Sequence, residues 1–287
     1  MADGDAGYIT TTTGAVFVPE IWQQEIIKAL YGAFHMRNVF REVPIPRGTD
    51  TLHFGEMKKL VAEQITEGTA LTGKQNTETQ KDLVINQNWG VPITISKRLA
   101  IQAQSNINLL SEYMERAGQA LAYKLETDLM ALYSGFSQTV DCYSTGSTYG
   151  DLTAAYILQA RKKLNDAHAP MTDRYLIVST QQESKLLDLD RFVDVSKYGS
   201  NRPIMDGELG MIYGFRCLVS PYIVATGGEE MNLAVHKDAA HFGIQDISMD
   251  PWEYHTLKQG WDGVASMLYG VAEKRDAFAV VLKTDEP

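Results

Sequence analysis

Cysteine is scarce: Cys142 and Cys217 are the two in 287 residues, and they form no CxxC or other metal-ligand spacing. Nothing here resembles a disulfide framework, and the pair fits a reducing compartment and a packing role. Long apolar runs are missing too; no stretch approaches the ~18 uninterrupted apolar residues of a membrane-spanning helix. Basic character is weak, with 26 Lys and Arg against 36 Asp and Glu for a formal charge of -10. The longest basic run is Arg161-Lys162-Lys163, which argues against a chain that grips nucleic acid by displacing counterions. The opening Met1-Ala2-Asp3-Gly4-Asp5 has neither the basic nor the apolar region of a secretory signal, so cytosolic synthesis is expected. Internal repeats of fixed period are absent.

What is present suits a folded protein. Hydrophobic residues make up 44% and charged residues 22%, ordinary globular values that exclude wholesale disorder or fibrous repeats. A chain of this length forms one or two domains and can bury about three quarters of its extended surface.

Residues 1–17, with the tract Thr10 to Thr13, lack helical periodicity and read as an extended arm that needs something to hold it. Pro19 suits the first turn of a helix, in which Trp22, Ile26, Leu30 and Phe34 recur every four residues. From Leu83 the odd positions 85, 87, 89, 91, 93 and 95 alternate with polar ones, predicting one long strand, bent or placed at a sheet edge by Gly90 and Pro92. Thr51 to Phe54 and Lys58 to Ile65 would be its outgoing partner, with Glu67 to Lys81 as a polar tip. A hairpin so thin has little core of its own and needs a surface to lie on.

The clearest element follows. Leu110, Met114, Ala117, Leu121, Leu125, Leu129 and Leu132 form one stripe, predicting a helix from 108 to 134 with Asn108 as N-cap. Glu112, Glu115, Arg116, Lys124, Glu126 and Asp128 are expected off that stripe, leaving a spine packed against a sheet. Beyond the loop Cys142 to Gly150, the pattern predicts a helix capped by Asp151 with Leu152, Ala155, Leu158 and Leu164 inward. It further predicts strands at 175–179, 210–220 and 231–236, a helix from Gln181 to Leu187, and a terminal strand pair of 264–272 with 277–283.

Chemistry is harder to find. Gly68-Thr69-Ala70-Leu71-Thr72-Gly73-Lys74 spells GxxxxGK, but Gln75 stands where a magnesium-binding Ser or Thr belongs, and no apolar helix face follows. A glycine-containing loop tip is the plainer reading. His236, Asp238 and His241 have no further ligand beside them, and the two histidines lack the spacing of a shared helix face. Asp246, Asp250, Glu253 and His255 lack a calcium-loop pattern, and Trp252, Tyr254 and Trp261 are expected to pack. No catalytic, cofactor-binding or metal residue is assigned. Two elements without cores of their own suit a protein that contacts copies of itself.

In serial order, Val18-Pro19-Glu20-Ile21-Trp22 opening a helix, the extended loop 48–97, the helix 108–134, and the segments Arg174 to Leu187, Gly210 to Ser220, Asn232 to Ala239 and Leu268 to Arg275 resemble one family. It is that of tailed-bacteriophage major capsid proteins with the Hong Kong 97-type fold. The resemblance implies an α+β fold with an N-terminal arm and first helix (1–47), an extended β-hairpin or E-loop (48–97), a peripheral domain with the spine helix (98–140 and 232–287) and an axial domain (141–231). It implies hexamers and pentamers of this chain closing an icosahedral shell around double-stranded DNA in the virion, after assembly in the host bacterial cytoplasm. A portal, cement proteins and a separate scaffolding protein are implied partners, the last because the N-terminal extension that some relatives use is lacking; Met1 argues against a removed leader. The candidates for contacts between copies are Thr11, Phe17, Glu67, Gly68, Gly73, Lys74, Lys81 and Trp89. The alternatives are an encapsulin-like nanocompartment shell and a nucleotide-binding enzyme using Gly68 to Lys74.

Overall fold

The computed structural model describes residues 19–56, 79–102, 106–145, 148–187, 210–250, 253–256 and 258–285, with 62, 64, 65 and 67 between the first two stretches. The chain begins with helix α1 (Pro19–Ala33) and a 3-10 turn (His35–Asn38), then strands β1 (Arg41–Glu42), β2 (Thr51–Glu56), β3 (Thr79–Val84) and β4 (Gln87–Ser96). Helix α2 (Lys97–Gln102) leads to the spine α3 (Asn106–Ala131), which begins two residues before the expected cap Asn108 and ends in a 3-10 turn. Next come β5 (Gln138–Asp141), β6 (Tyr143–Thr145), β7 (Thr148–Tyr149), α4 (Ala154–Asp166), β8 (Arg174–Val178) and α5 (Thr180–Leu187). The remainder is β-structure: β9 (Met211–Ile212), β10 (Phe215–Val219), β11 (Ala225–Thr226), β12 (Glu229–His236), β13 (Ala240–Met249), β14 (Glu253–His255), β15 (Gly260–Glu273) and β16 (Ala279–Asp285).

Two sheets organise these strands. A five-stranded sheet runs β1-β13-β15-β14, with β4 on the other side of β15, and a seven-stranded sheet runs β5-β16-β12-β8-β10-β9, with β11 paired to β12. The expected terminal hairpin of 264–272 with 277–283 does not form: β15 pairs with β13 and β4, whereas β16 pairs with β12 and β5. The short link Lys274–Phe278 carries the chain from one sheet to the other. The segment 210–220 is likewise two strands, because Tyr213 and Gly214 both take positive φ (47° and 85°), the backbone geometry of a two-residue hairpin turn.

The predicted strand 83–95 is broken at Ile85–Asn86 into β3 and β4, which pair with different partners. Its alternation survives the break, with Leu83, Ile93 and Ile95 buried and the intervening even positions exposed. Gly90 and Pro92 do not interrupt β4; they face Ser266 and Val264 on an edge strand, where a missing N–H is tolerated.

The stripe Met114, Ala117, Leu121, Leu125 and Leu129 is buried as expected, but α3 packs against α1 as well as against the sheet. Gly118 explains the spacing of the two helices: a Cβ there would stand 2.7 Å from the carbonyl oxygen of Ile26 and 2.9 Å from Ala29 Cβ. Glu126, expected off the stripe, is buried. In α4 the inward residues are Ile157, Ala160 and Leu164, while Ala155 and Leu158 face solvent. Thr153 occupies the N-cap position there, and Asp151 instead pairs with Lys185 at 3.1 Å.

Candidate functional site

The hairpin β2–β3 is a two-stranded sheet of its own, registered Thr51↔Val84 through Glu56↔Thr79. Such a ribbon is marginal alone, so its orientation depends on what fixes its base. A β-bulge between Ile244 and Asp246 turns Gln245 toward the entering chain, where its amide nitrogen donates to the carbonyls of Thr49 (2.6 Å) and Pro46 (3.1 Å). Beside it Arg47 pairs with Asp246 at 2.6 Å. On the returning strand, Val84 crosses directly over Gly270 of β15 with no room for a Cβ, and Lys81 donates to Glu273 at 2.9 Å.

Phe54 of β2 completes the anchor. Its ring meets His241 edge-on at 5.0 Å between centroids, and the Lys274 ammonium lies 5.4 Å from the same ring. His241 is 2% exposed, and neither ring nitrogen has a hydrogen-bond partner among the described residues. The nearest carboxylate, Asp238, is 4.0 Å away and engaged by Arg41 at 2.7 Å. Burial first, then the Lys274 charge, push the imidazole down to about 4, so it is neutral at pH 7. His236 accepts the backbone N–H of Asp238 at 3.1 Å. Among the described residues, no group of His, Cys, Asp and Glu forms a metal cluster.

A second set of contacts joins β4, α3 and β15. Lys124 lies 4.3 Å from the Trp89 ring and 2.5 Å from Asp128, whose other oxygen accepts from the Tyr269 hydroxyl at 2.5 Å. Burial and then Asp128 raise the Tyr269 phenol above its ordinary value. Between Lys124 and Asp128 in the sequence of α3, Glu126 accepts the backbone N–H groups of His35 (2.5 Å) and Met36 (3.2 Å). Burial pushes its carboxyl up against the lowering effect of those bonds. This single side chain satisfies the donors exposed where α1 gives way to the 3-10 turn.

Of the residues singled out in the sequence, Thr11, Phe17, Gly68, Gly73 and Lys74 lie outside the described residues. Glu67 is exposed in a turn. Lys81 and Trp89 stand apart: Lys81 reaches Glu273, whereas Trp89 lies opposite Met267, six residues away along β15, or about 20 Å. Trp89 packs on its own spine helix and is still 43% exposed. The GxxxxGK stretch also lies outside the described residues; the next described element after it is strand β3, beginning at Thr79. Both cysteines behave as packing residues, Cys142 buried and Cys217 half-buried, each thiol pushed up to about 12 mainly by burial. The sequence did not reveal Gln245 or Gly270; the one available signal was a polar residue interrupting the apolar pattern of β13.

A two-stranded hairpin, a long spine helix and two sheets around one core define a mixed α+β protein. The chain belongs to the phage capsid protein family, whose model matches residues 61–281. It is 27% identical over 194 residues to the major capsid protein of Escherichia phage T5, a match covering 67% of this chain and 40% of that protein, so the chain spans well under half the length of that curated relative. In fold it is similar to the capsid structure of cyanophage P-SCSP1u, with a TM-score of 0.70 at 17% identity over 87% of each chain. It is also similar to the mature capsid of bacteriophage PhiM1, with a TM-score of 0.66 at 14% identity over 100% of this chain and 91% of that one.

Proposed function

We propose that the chain is a structural, non-catalytic major capsid protein. Copies of it close an icosahedral shell, as hexamers and pentamers, around double-stranded phage DNA, and its place is the virion. The observation that carries this reading is the family match over 61–281, because that span includes β3 and β4, the spine helix and most of both sheets. The named T5 relative and the capsid folds point the same way.

In Hong Kong 97-type terms, residues 1–47 are the arm and first helix, 48–97 the E-loop, α3 the spine, the five-stranded sheet the peripheral layer and the seven-stranded sheet the axial one. On this division β16 and most of β12, although within 232–287, go with the axial strands they pair with. Thr11, Phe17, Glu67, Gly68, Gly73, Lys74, Lys81 and Trp89 are the proposed contacts between copies. A scaffolding protein, a portal and cement proteins are the proposed partners. Sedimentation of the purified chain under assembly conditions tests the reading: large particles are expected, closed and uniform only when the scaffolding protein is supplied, and material that stays monomeric overturns it.

A further inference from the structure

A cleft of about 430 Å³ opens between the turn after α1 and the seven-stranded sheet, lined by His35, Asn38, Asp173, Tyr175, Arg216 and Lys237. The fold builds it deliberately close. Arg216 of β10 sits beside Tyr175 of β8 in parallel register, and the Lys237 backbone N–H donates to the Asp173 carbonyl at 3.1 Å, bringing the end of β12 to the start of β8. Tyr175 is only 5% exposed, yet its hydroxyl has no hydrogen-bond partner among the described residues. With no bond among those residues, the hydroxyl can donate to whatever enters the cleft. The Arg216 and Lys237 side chains likewise enter no ion pair among the described residues. His35 faces Glu126 at 3.6 Å, so the standing charge in the cleft is two cations against the single carboxylate of Asp173.

This lining suits an oxygen anion: it carries a guanidinium fork, an ammonium, an amide and a phenol, and all four can donate. The cleft is recessed and small, which suits one projecting side chain better than the backbone of a duplex. Nucleic-acid backbones call for an extended basic surface, whereas this chain carries -10 overall and offers 36 acidic residues. We propose that the cleft receives an Asp or Glu side chain from a second copy of this chain, making Arg216, Lys237 and Tyr175 one half of a contact between copies. The inference rests on the shell reading and names one of its joints.

The test uses assembled particles made from equal amounts of isotopically light and heavy chain, treated with a carbodiimide that couples amines to carboxylates in direct contact. Mass spectrometry of the digest is expected to find Lys237 joined to an Asp or Glu in mixed light–heavy peptides. The double variant Arg216→Glu with Lys237→Glu is expected to keep the wild-type melting temperature while particle yield falls about tenfold or more. Coupling of Lys237 only within its own chain, no coupling at all, or wild-type yield from the double variant overturns the proposal. So does shielding of Lys237 from acetylation only in DNA-filled particles, which would make nucleic acid the occupant. If the unmodified chain forms no particles, the shell reading itself fails instead.

Discussion

The carbonyl oxygen of Val84 occupies the place that a Cβ on Gly270 would need, so the hairpin and β15 cross in backbone contact. Gly270→Ala must therefore push the two apart. The expected cost is about 1–3 kcal/mol, the usual range for forcing volume into a packed site. Denaturant unfolding measures it, and a variant as stable as the wild type would mean that the crossing is loose.

Glu126 holds two backbone donors at the end of α1, and its removal strands both inside the protein. Glu126→Ala should cost about 2–3 kcal/mol, while Glu126→Gln, which keeps a carbonyl acceptor, should cost visibly less. Thermal or chemical melts of the two variants separate the cases. Equal losses would assign the effect to side-chain volume and not to the hydrogen bonds.

His241 makes stability depend on acid. Its folded value of about 4 lies below the ordinary 6.5, so between those limits the unfolded chain takes up a proton that the folded chain refuses. Its contribution is complete above pH 6.5 and is lost as pH falls toward 4, by up to about 1.4 kcal/mol per unit. His241→Phe removes this dependence. The stability of the variant relative to the wild type should rise by on the order of 2–3 kcal/mol from pH 7 to pH 4; a difference that does not vary with pH would contradict the account.

Deleting residues 68–78, between the β2–β3 strands, should leave the spine and both sheets folded, because their cores lie elsewhere. Assembly should suffer while the melting temperature moves little. Normal particles from this deletion would remove this segment from the contact surface. By contrast Leu121→Asp, on the buried stripe of α3, should abolish folding by burying an unpaired charge.

Much of this architecture was legible from periodicity. The helices α1 and α3 and the inward positions of 83–95 follow from spacing alone. The break at Ile85–Asn86 was not legible, because sidedness continues through it while the hydrogen-bonding partner changes, and only the second property defines a strand's sheet. The terminal strands misled for the same reason: a charged turn between two apolar runs looks like a hairpin, yet β15 and β16 find partners far away in sequence. Glu126 was hidden because it lies next to Leu125 and one turn beyond Ala122, at the rim of a stripe that widens where α1 packs. Gly118 and Gly270 carry no side-chain pattern; what they make possible is a neighbour's approach.

The central claim is a shell in which the hairpin serves a neighbour. A cryo-electron microscopy reconstruction of the purified, assembled chain tests it most directly. The account predicts closed icosahedral particles with residues 57–78, between β2 and β3, in contact with an adjacent subunit; a homogeneous monomer, or a shell in which that segment touches only its own subunit, would contradict it.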